Sequence, residues 1–290
     1  VNCFPSYTFK RKIFKVFMAV RILVFFIFPI SFKKQCHVPV ECFQDQEFLK
    51  EMYSVFIWSL VSGRGRAYVH FLSQSGIKKY FSKLTINNSD FGLLHNERDS
   101  LQFFSNAKNF SVPSVSCFVS TDRYCLLVTE SIPADFTLCH PETSEFPTDI
   151  ASEIQTTYNK IPVFELVNSL SCFDKSTFNS LITNLDKTEL VDVSRIHGDF
   201  GSENIFKNKK DEYIVIDWER SEKVAPILTD EVGYWLGKHH KIIKKDIKEA
   251  SKRFRRYAEN KKEIDVFLAL VFLCLAKFDL AEKILKVRDS

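Results

Sequence analysis

Glycine and methionine are scarce in this sequence, with eight Gly and two Met among 290 residues. So little glycine, beside only nine Pro, excludes a collagen-like or low-complexity chain. A hydrophobic fraction of 45% against 26% charged residues excludes wholesale disorder. Paired cysteines are missing too. The eight Cys (Cys3, Cys36, Cys42, Cys117, Cys125, Cys139, Cys172 and Cys274) are scattered, with no C-x-x-C and no Cys/His group at zinc-site spacing. They read as thiols of a reducing compartment. Internal repeats and linker-like stretches are absent. So is an apolar run long enough to cross a bilayer: the uncharged part of residues 16–32 runs from Ile22 to Phe32, 11 residues against the ~20 that a span needs. Phe32-Lys33-Lys34 offers no small-residue cleavage site, which argues against a secretory signal.

Phenylalanine is abundant, at 29 residues, and predicts an aromatic core. At roughly 100–200 residues per domain, the length corresponds to one large domain or two modest ones. The net charge of +4 is unevenly spread. Lys10, Arg11, Lys12, Lys15, Arg21, Lys33 and Lys34 precede the first acid, Glu41, so the rest of the chain is slightly acidic and gives no reason to expect nucleic acid as a partner. Residues 1–40 fit a short membrane anchor, an interfacial helix or a helix packed on the body. Attraction to an anionic membrane surface is the reading taken, with the protein cytoplasmic and peripheral at the inner face. Val1 in place of Met is also what a fragment would show.

From Tyr53 to Leu60 the run is aromatic and β-branched and reads as a strand, broken by Ser62-Gly63-Arg64-Gly65. Residues 67–74 alternate, Ser75-Gly76 makes a turn, and 77–85 read as the hairpin partner. Residues 92–107 carry helical periodicity, and strands are expected at 115–120 and 124–130 before a hinge near 130–134. Farther on, 151–170 and 176–190 read as mostly helical, 193–196 and 211–218 as strands, and the chain beyond Asp230 as helical. Residues 241–262 read as a basic amphipathic helix with a solvated outer face, and 266–276 as a buried core helix.

The chemistry concentrates in His197-Gly198-Asp199-Phe200-Gly201-Ser202-Glu203-Asn204 and in Ile214-Val215-Ile216-Asp217-Trp218-Glu219. An Asp and an Asn five apart on one loop can meet at one point, the Asp facing a hydroxyl and the Asn amide oxygen facing a cation. A second Asp at the end of an apolar strand can reach the same cation. Mg²⁺ favours a few hard oxygens plus nucleotide phosphates, and phosphoryl transfer needs such a set together with an acceptor for the hydroxyl proton.

H-G-D-x-x-x-x-N followed by I-D-W-E resembles the aminoglycoside phosphotransferase and choline kinase group of the protein-kinase-like superfamily, over roughly residues 53–290. Pro226-Ile227-Leu228-Thr229-Asp230 is similar to that group's P-x-x-x-D segment, whose Asp braces the catalytic region. The resemblance implies an α+β, bilobal protein-kinase-like fold with a five-stranded antiparallel N-lobe and a mainly helical C-lobe. Its parts would be an N-terminal extension (1–50), a nucleotide-binding N-lobe (51–133) and a catalytic and substrate-binding C-lobe (134–290). It implies ATP and Mg²⁺ as cofactors, Asp199 as catalytic base, His197 as a brace for its loop, and Asn204 and Asp217 as metal ligands. Gly63 and Gly65 would approach phosphates, Lys83 would contact them and pair with Glu97, and Glu130 would border the nucleotide where the chain enters the hinge. Lys78 and Lys79 compete with Lys83 for that role, and Glu97 reads equally as a solvated helix charge.

Gly198 and Gly201 stand where protein kinases usually carry Arg and Lys, which disfavours protein substrates. Glu203 beside Asn204 and Arg64 and Arg66 near the glycines also depart from the pattern, the arginines either offsetting Glu203 or being solvated. The activity implied is ATP-dependent phosphorylation of a small-molecule hydroxyl, a sugar or glycan intermediate being the favoured acceptor. The alternatives are a catalytically silent nucleotide-binding scaffold and a protein kinase.

Overall fold

The computed structural model describes residues 54–59, 66–73, 77–139, 146–155, 159–169, 188, 190–245, 252, 268–272, 274, 275 and 278–289. The chain divides into two compact units, Val1–Leu49 and Lys50–Ser290. All of the first unit lies outside the described residues, and so do Gly63, Arg64, Gly65 and nearly all of 246–262.

In the second unit, β1 (Ser54–Ser59), β2 (Arg66–Leu72), β3 (Lys78–Thr85), β4 (Val115–Ser120) and β5 (Cys125–Glu130) form one antiparallel sheet in the order β1–β2–β3–β5–β4. Alternation sets its faces: Val69 and Phe71 of β2 are buried, as are Ser82 and Leu84 of β3. The inner strand β5 is buried from Cys125 to Thr129, as expected for a strand covered on both sides. Helix α1 (Phe91–Phe103) runs between β3 and β4 in the chain, after a short turn in which the Asn87 side chain accepts the Ser89 N–H at 3.3 Å. Leu94, Glu97 and Leu101 form its buried stripe, at the three- and four-residue spacing of a helix face. That stripe carries an acid inward.

There follow β6 (Thr137–Leu138), α2 (Thr148–Ile154), β7 (Asn159–Pro162), α3 (Val163–Ser169), β8 (Leu190–Ile196), β9 (Ile205–Lys207), β10 (Tyr213–Val215), β11 (Glu222–Pro226), α4 (Thr229–Lys245) and α5 (Phe278–Asp289). The short strands make two three-stranded sheets, β10–β9–β6 and β11–β8–β7. The helical reading of 151–170 therefore needs correction, because β7 interrupts it by pairing with Leu190–Val193. Pro162 has no N–H to give a continuing helix but suits the position before a new one, so it closes β7 and leads into α3. The strand read at 211–218 contracts to Tyr213–Val215, since Asp217 leaves the extended region. The helix read at 176–190 falls mostly outside the described residues, and Leu190 opens β8. Residues 268–272 are helical and wholly buried, as expected of a core segment. No helix among the described residues is long and apolar enough to cross a membrane.

Among the described residues, two apolar cores result. One gathers β8, β11, α4, residues 268–272 and α5. The other is largely aromatic and joins Leu101, Phe104 and Phe110 to Leu127, Ile150, Ile154, Phe200, Val215, Trp218 and Tyr234. At its centre the fully buried Trp218 ring lies 4.5 Å from Phe104, 5.9 Å from Phe110 and 4.4 Å from the His197 ring, and its indole N–H donates to the Val215 carbonyl at 3.1 Å. The Glu153 carboxylate of α2 accepts the N–H groups of Lys108 and Asn109 at 2.5 and 2.7 Å, fastening the segment after α1.

Trp218→Ala would leave a cavity in this aromatic core. The expected loss of stability is about 3–5 kcal/mol, measured by urea denaturation, with a smaller loss for Trp218→Phe.

Candidate active site

The loop after β8 is fixed by its own backbone. The Asp199 carbonyl accepts the Gly201 N–H at 2.8 Å and the Asn204 side-chain N–H at 2.8 Å, and the Gly201 carbonyl accepts the Asn204 N–H at 2.9 Å. The Asn204 carbonyl takes the Ile216 N–H at 3.0 Å, so the β9–β10 hairpin delivers Asn204 and Asp217 to one place. Asp230, fully buried at the start of α4, accepts the His197 N–H at 2.7 Å on Oδ2 and the Gly198 N–H at 2.9 Å on Oδ1. Gly198 has φ of +81°, and a Cβ there would lie 2.0 Å from the Arg220 carbonyl oxygen, so only glycine fits.

His197 is buried between this loop and Trp218. Its Nε2 faces the Ile216 carbonyl at 3.0 Å and must carry the proton, while Nδ1 accepts the Asp199 N–H at 3.3 Å. Burial lowers its pKa to about 4, so it is a neutral brace. The Asp199 side chain faces the solvent side of the loop. Partial desolvation, with Asp217, Glu203 and Glu219 nearby, raises its pKa against the opposing pull of Arg220 and makes it a better proton acceptor.

A largely buried ion cluster lies beside this loop. Lys83 Nζ lies 2.9 Å from Glu97 Oε1 and 2.8 Å from Oε2, and 2.5 Å from Asp217 Oδ1. Desolvation opposes the Lys83 charge, but Glu97, Asp217 and Glu219 outweigh it and hold the ammonium well above the ordinary lysine range. Desolvation likewise opposes Asp217, whose pKa Lys83 pulls below the ordinary range. Asp217 adopts the left-handed backbone conformation (φ 66°, ψ 55°), which Asp tolerates better than most residues and which aims its carboxylate out of line with β10.

Lys83, Glu97, Asp217, Asn204, Asp199 and His197 are thus drawn to one region by β3, α1 and the two loops. Lys78 and Lys79 are exposed on β3. Glu130 is exposed at the end of β5, three residues along from Leu127, the partner of Lys83 in the sheet. Glu203 is exposed and folds back over Gly201, where an added Cβ would lie 2.5 Å from its Oε2.

Sequence reading missed a second ion cluster. Arg66 is buried at the start of β2, where Nε meets Asp90 Oδ2 at 2.8 Å and Nη1 meets Glu219 Oε2 at 2.8 Å. It serves Glu219, and the expectation that it offsets Glu203 or stands in solvent is corrected. Asn96 of α1 adds bonds to the carbonyls of Glu219 (3.1 Å) and Ser221 (2.6 Å). The partners lie 24 to 153 residues apart, and no local pattern announces them.

Glu97, Asp217 and Glu219 each present one carboxylate oxygen within 4.8 Å of the others. With Nδ2 committed to Asp199, Asn204 has its Oδ1 to offer. Asp217 and Asn204 supply hard oxygens that fit a Mg²⁺ ion with its other positions left for phosphate or water, and Glu219 lies close by.

Burial raises the Asp230 carboxyl from 3.8 to about 6 despite two N–H donors. Its native pKa exceeds the unfolded one, so its contribution to stability is full below about pH 4 and falls as pH rises through about 6. Asp230→Asn should lack this part of the slope and lose about 1–3 kcal/mol through imperfect acceptance of the two N–H bonds. Urea denaturation across pH 4–7 checks both.

No protein-family model matches the chain, and no curated protein matches it. Among solved structures, it is similar to an aminoglycoside phosphotransferase from Streptomyces rimosus, with 14% identity and a TM-score of 0.43 over 78% of this chain and 92% of that one. It is also similar to a putative fructosamine-3-kinase from Haemophilus somnus, with 11% identity and a TM-score of 0.42 over 81% and 92% of the two chains. A macrolide 2'-phosphotransferase from Brachybacterium faecium is similar at 8% identity and a TM-score of 0.40, over 81% of this chain and 82% of that one.

Proposed function

We propose that the protein is an ATP-dependent phosphotransferase acting on a hydroxyl of a small molecule. Residues 51–133 bind the nucleotide and 134–290 carry the catalytic loop and the acceptor. The reading rests on one observation above the others: an ammonium held between Glu97 and Asp217 beside a loop carrying an open carboxylate, Asp199, and an amide, Asn204.

Lys83, kept charged by its carboxylates, binds nucleotide phosphate oxygens. Asp217 and Asn204 would hold Mg²⁺, with Glu219 close by. When bound, that ion neutralises charge on the phosphates and orients them. Asp199 accepts the proton of the acceptor hydroxyl as the hydroxyl oxygen bonds to the terminal phosphorus and the bond to the bridging oxygen breaks, releasing ADP. His197 holds the Asp199 backbone and moves no proton, because its two nitrogens are engaged. A sugar or glycan intermediate is the acceptor class favoured, since the basic, apolar composition of residues 1–40 suits an anionic membrane surface where such intermediates collect.

A coupled ATP-consumption screen across sugars, amino sugars, choline-like alcohols and nucleosides should find a Mg²⁺-dependent acceptor. With it, Asp199→Asn should lower turnover by ~10²–10⁴ while nucleotide binding by calorimetry stays near wild type. Lys83→Ala should instead raise the apparent ATP constant. Near-wild-type turnover by Asp199→Asn would remove the base assignment.

A further inference from the structure

Among the described residues, three carboxylates crowd one position. Glu97, Asp217 and Glu219 have ligand oxygens within 4.8 Å of one another. If all three closed on a divalent cation, they would form much of an all-protein cage. A cation serving phosphoryl transfer must instead keep positions for phosphate oxygens and water. Something has to hold one carboxylate back.

Arg66 meets that need. Its side chain is 8% exposed, and its fork touches two acids from different elements at 2.8 Å each: Glu219, two residues after Asp217, and Asp90, where α1 begins. Asp90 anchors the far side of the guanidinium, so Arg66 cannot follow Glu219 inward without breaking that contact. Its remaining nitrogen, Nη2, is buried without a hydrogen-bond partner. A guanidinium can serve two carboxylates at once in fixed directions, which a lysine ammonium does less well.

We propose that Arg66 is a positioning residue of this site: by holding Glu219 it partitions the carboxylates, leaving Asp217 to Lys83 and to the metal. The purpose of the partition rests on the phosphotransferase reading, but its geometry does not. Burial opposes the Arg66 charge, and Glu219, Tyr68 and Asp90 offset that cost.

The test is nucleotide-free Mn²⁺ binding to the full chain, read from the paramagnetic resonance signal of free Mn²⁺. Arg66→Met releases Glu219 toward the cation and removes a nearby positive charge. Its Mn²⁺ affinity should rise at least about tenfold. Adding Glu219→Gln to Arg66→Met should return the affinity toward wild type. Ordinary structural damage would weaken binding, so the direction separates the two causes. Arg66→Lys keeps the charge and loses the fork; it should show a smaller rise and serves if the Met variant does not fold. Unchanged or weaker Mn²⁺ binding in the Arg66 variants overturns the proposal. A wild type that binds Mn²⁺ in this pattern, yet neither binds nor turns over nucleotide, removes the phosphotransferase reading and leaves the partition standing. Nucleotide turnover with Mn²⁺ affinity indifferent to Arg66 removes the partition alone.

Discussion

The Lys83 ammonium is the point on which the site's construction depends. It is buried where the third strand, the first helix and the turn after Val215 meet, and its two carboxylates come from the helix and from the turn. Lys83 and Glu97 are the deeply buried pair, and breaking such a pair costs about 3–5 kcal/mol, while Asp217, whose side chain is 33% exposed, adds less. The helix is therefore tied to the turn by charge as well as by packing. Asn96 and Arg66 repeat the tie, one through backbone carbonyls and the other by linking Asp90 to Glu219. Three contacts of different chemistry converge on residues 217–221.

Beneath that turn lies the bed of Phe104, Phe110, Phe200, Trp218 and Tyr234. The abundance of phenylalanine thus has a local use. Rings are large and stiff, so a few of them support loops whose own backbone is irregular. His197 belongs to this bed as much as to the site above it, its ring tilted against Trp218 while bonding to the Asp199 and Ile216 backbones. Asp230 completes the support from α4, where two N–H groups offset part of the cost of burying its carboxyl.

Legibility in the sequence followed the distance over which a pattern extends. Asp199, Asn204 and Asp217 could be singled out because one loop and one hairpin set their spacing, whereas Glu97, on a helical stripe with Leu94 and Leu101, read equally as a solvated charge. Alternation along a single strand separated Lys83 from Lys78 but left Lys79 on the same face. The Arg66–Glu219 pair spans 153 residues, and an arginine after a glycine-rich turn looks solvated until the fold buries it. Strands of three or four residues, such as Ile205–Lys207 and Asn159–Pro162, are shorter than any alternation that could reveal them. A helix pattern swallowed the second of these because Ile161 also fits an apolar helical spacing.

The contact between Gly198 and the Arg220 carbonyl bears on how this sequence can drift. Every amino acid reachable from glycine by one base change carries a Cβ, and a Cβ here would sit 2.0 Å from that oxygen. The turn at 218–220 would have to shift before any replacement could be accommodated, yet that turn is held by Asn96, Arg66 and the Trp218 bed. Any replacement of Gly198 is therefore blocked at the first step. The open route begins elsewhere in the chain, with changes at the turn that bring no benefit until the second substitution arrives.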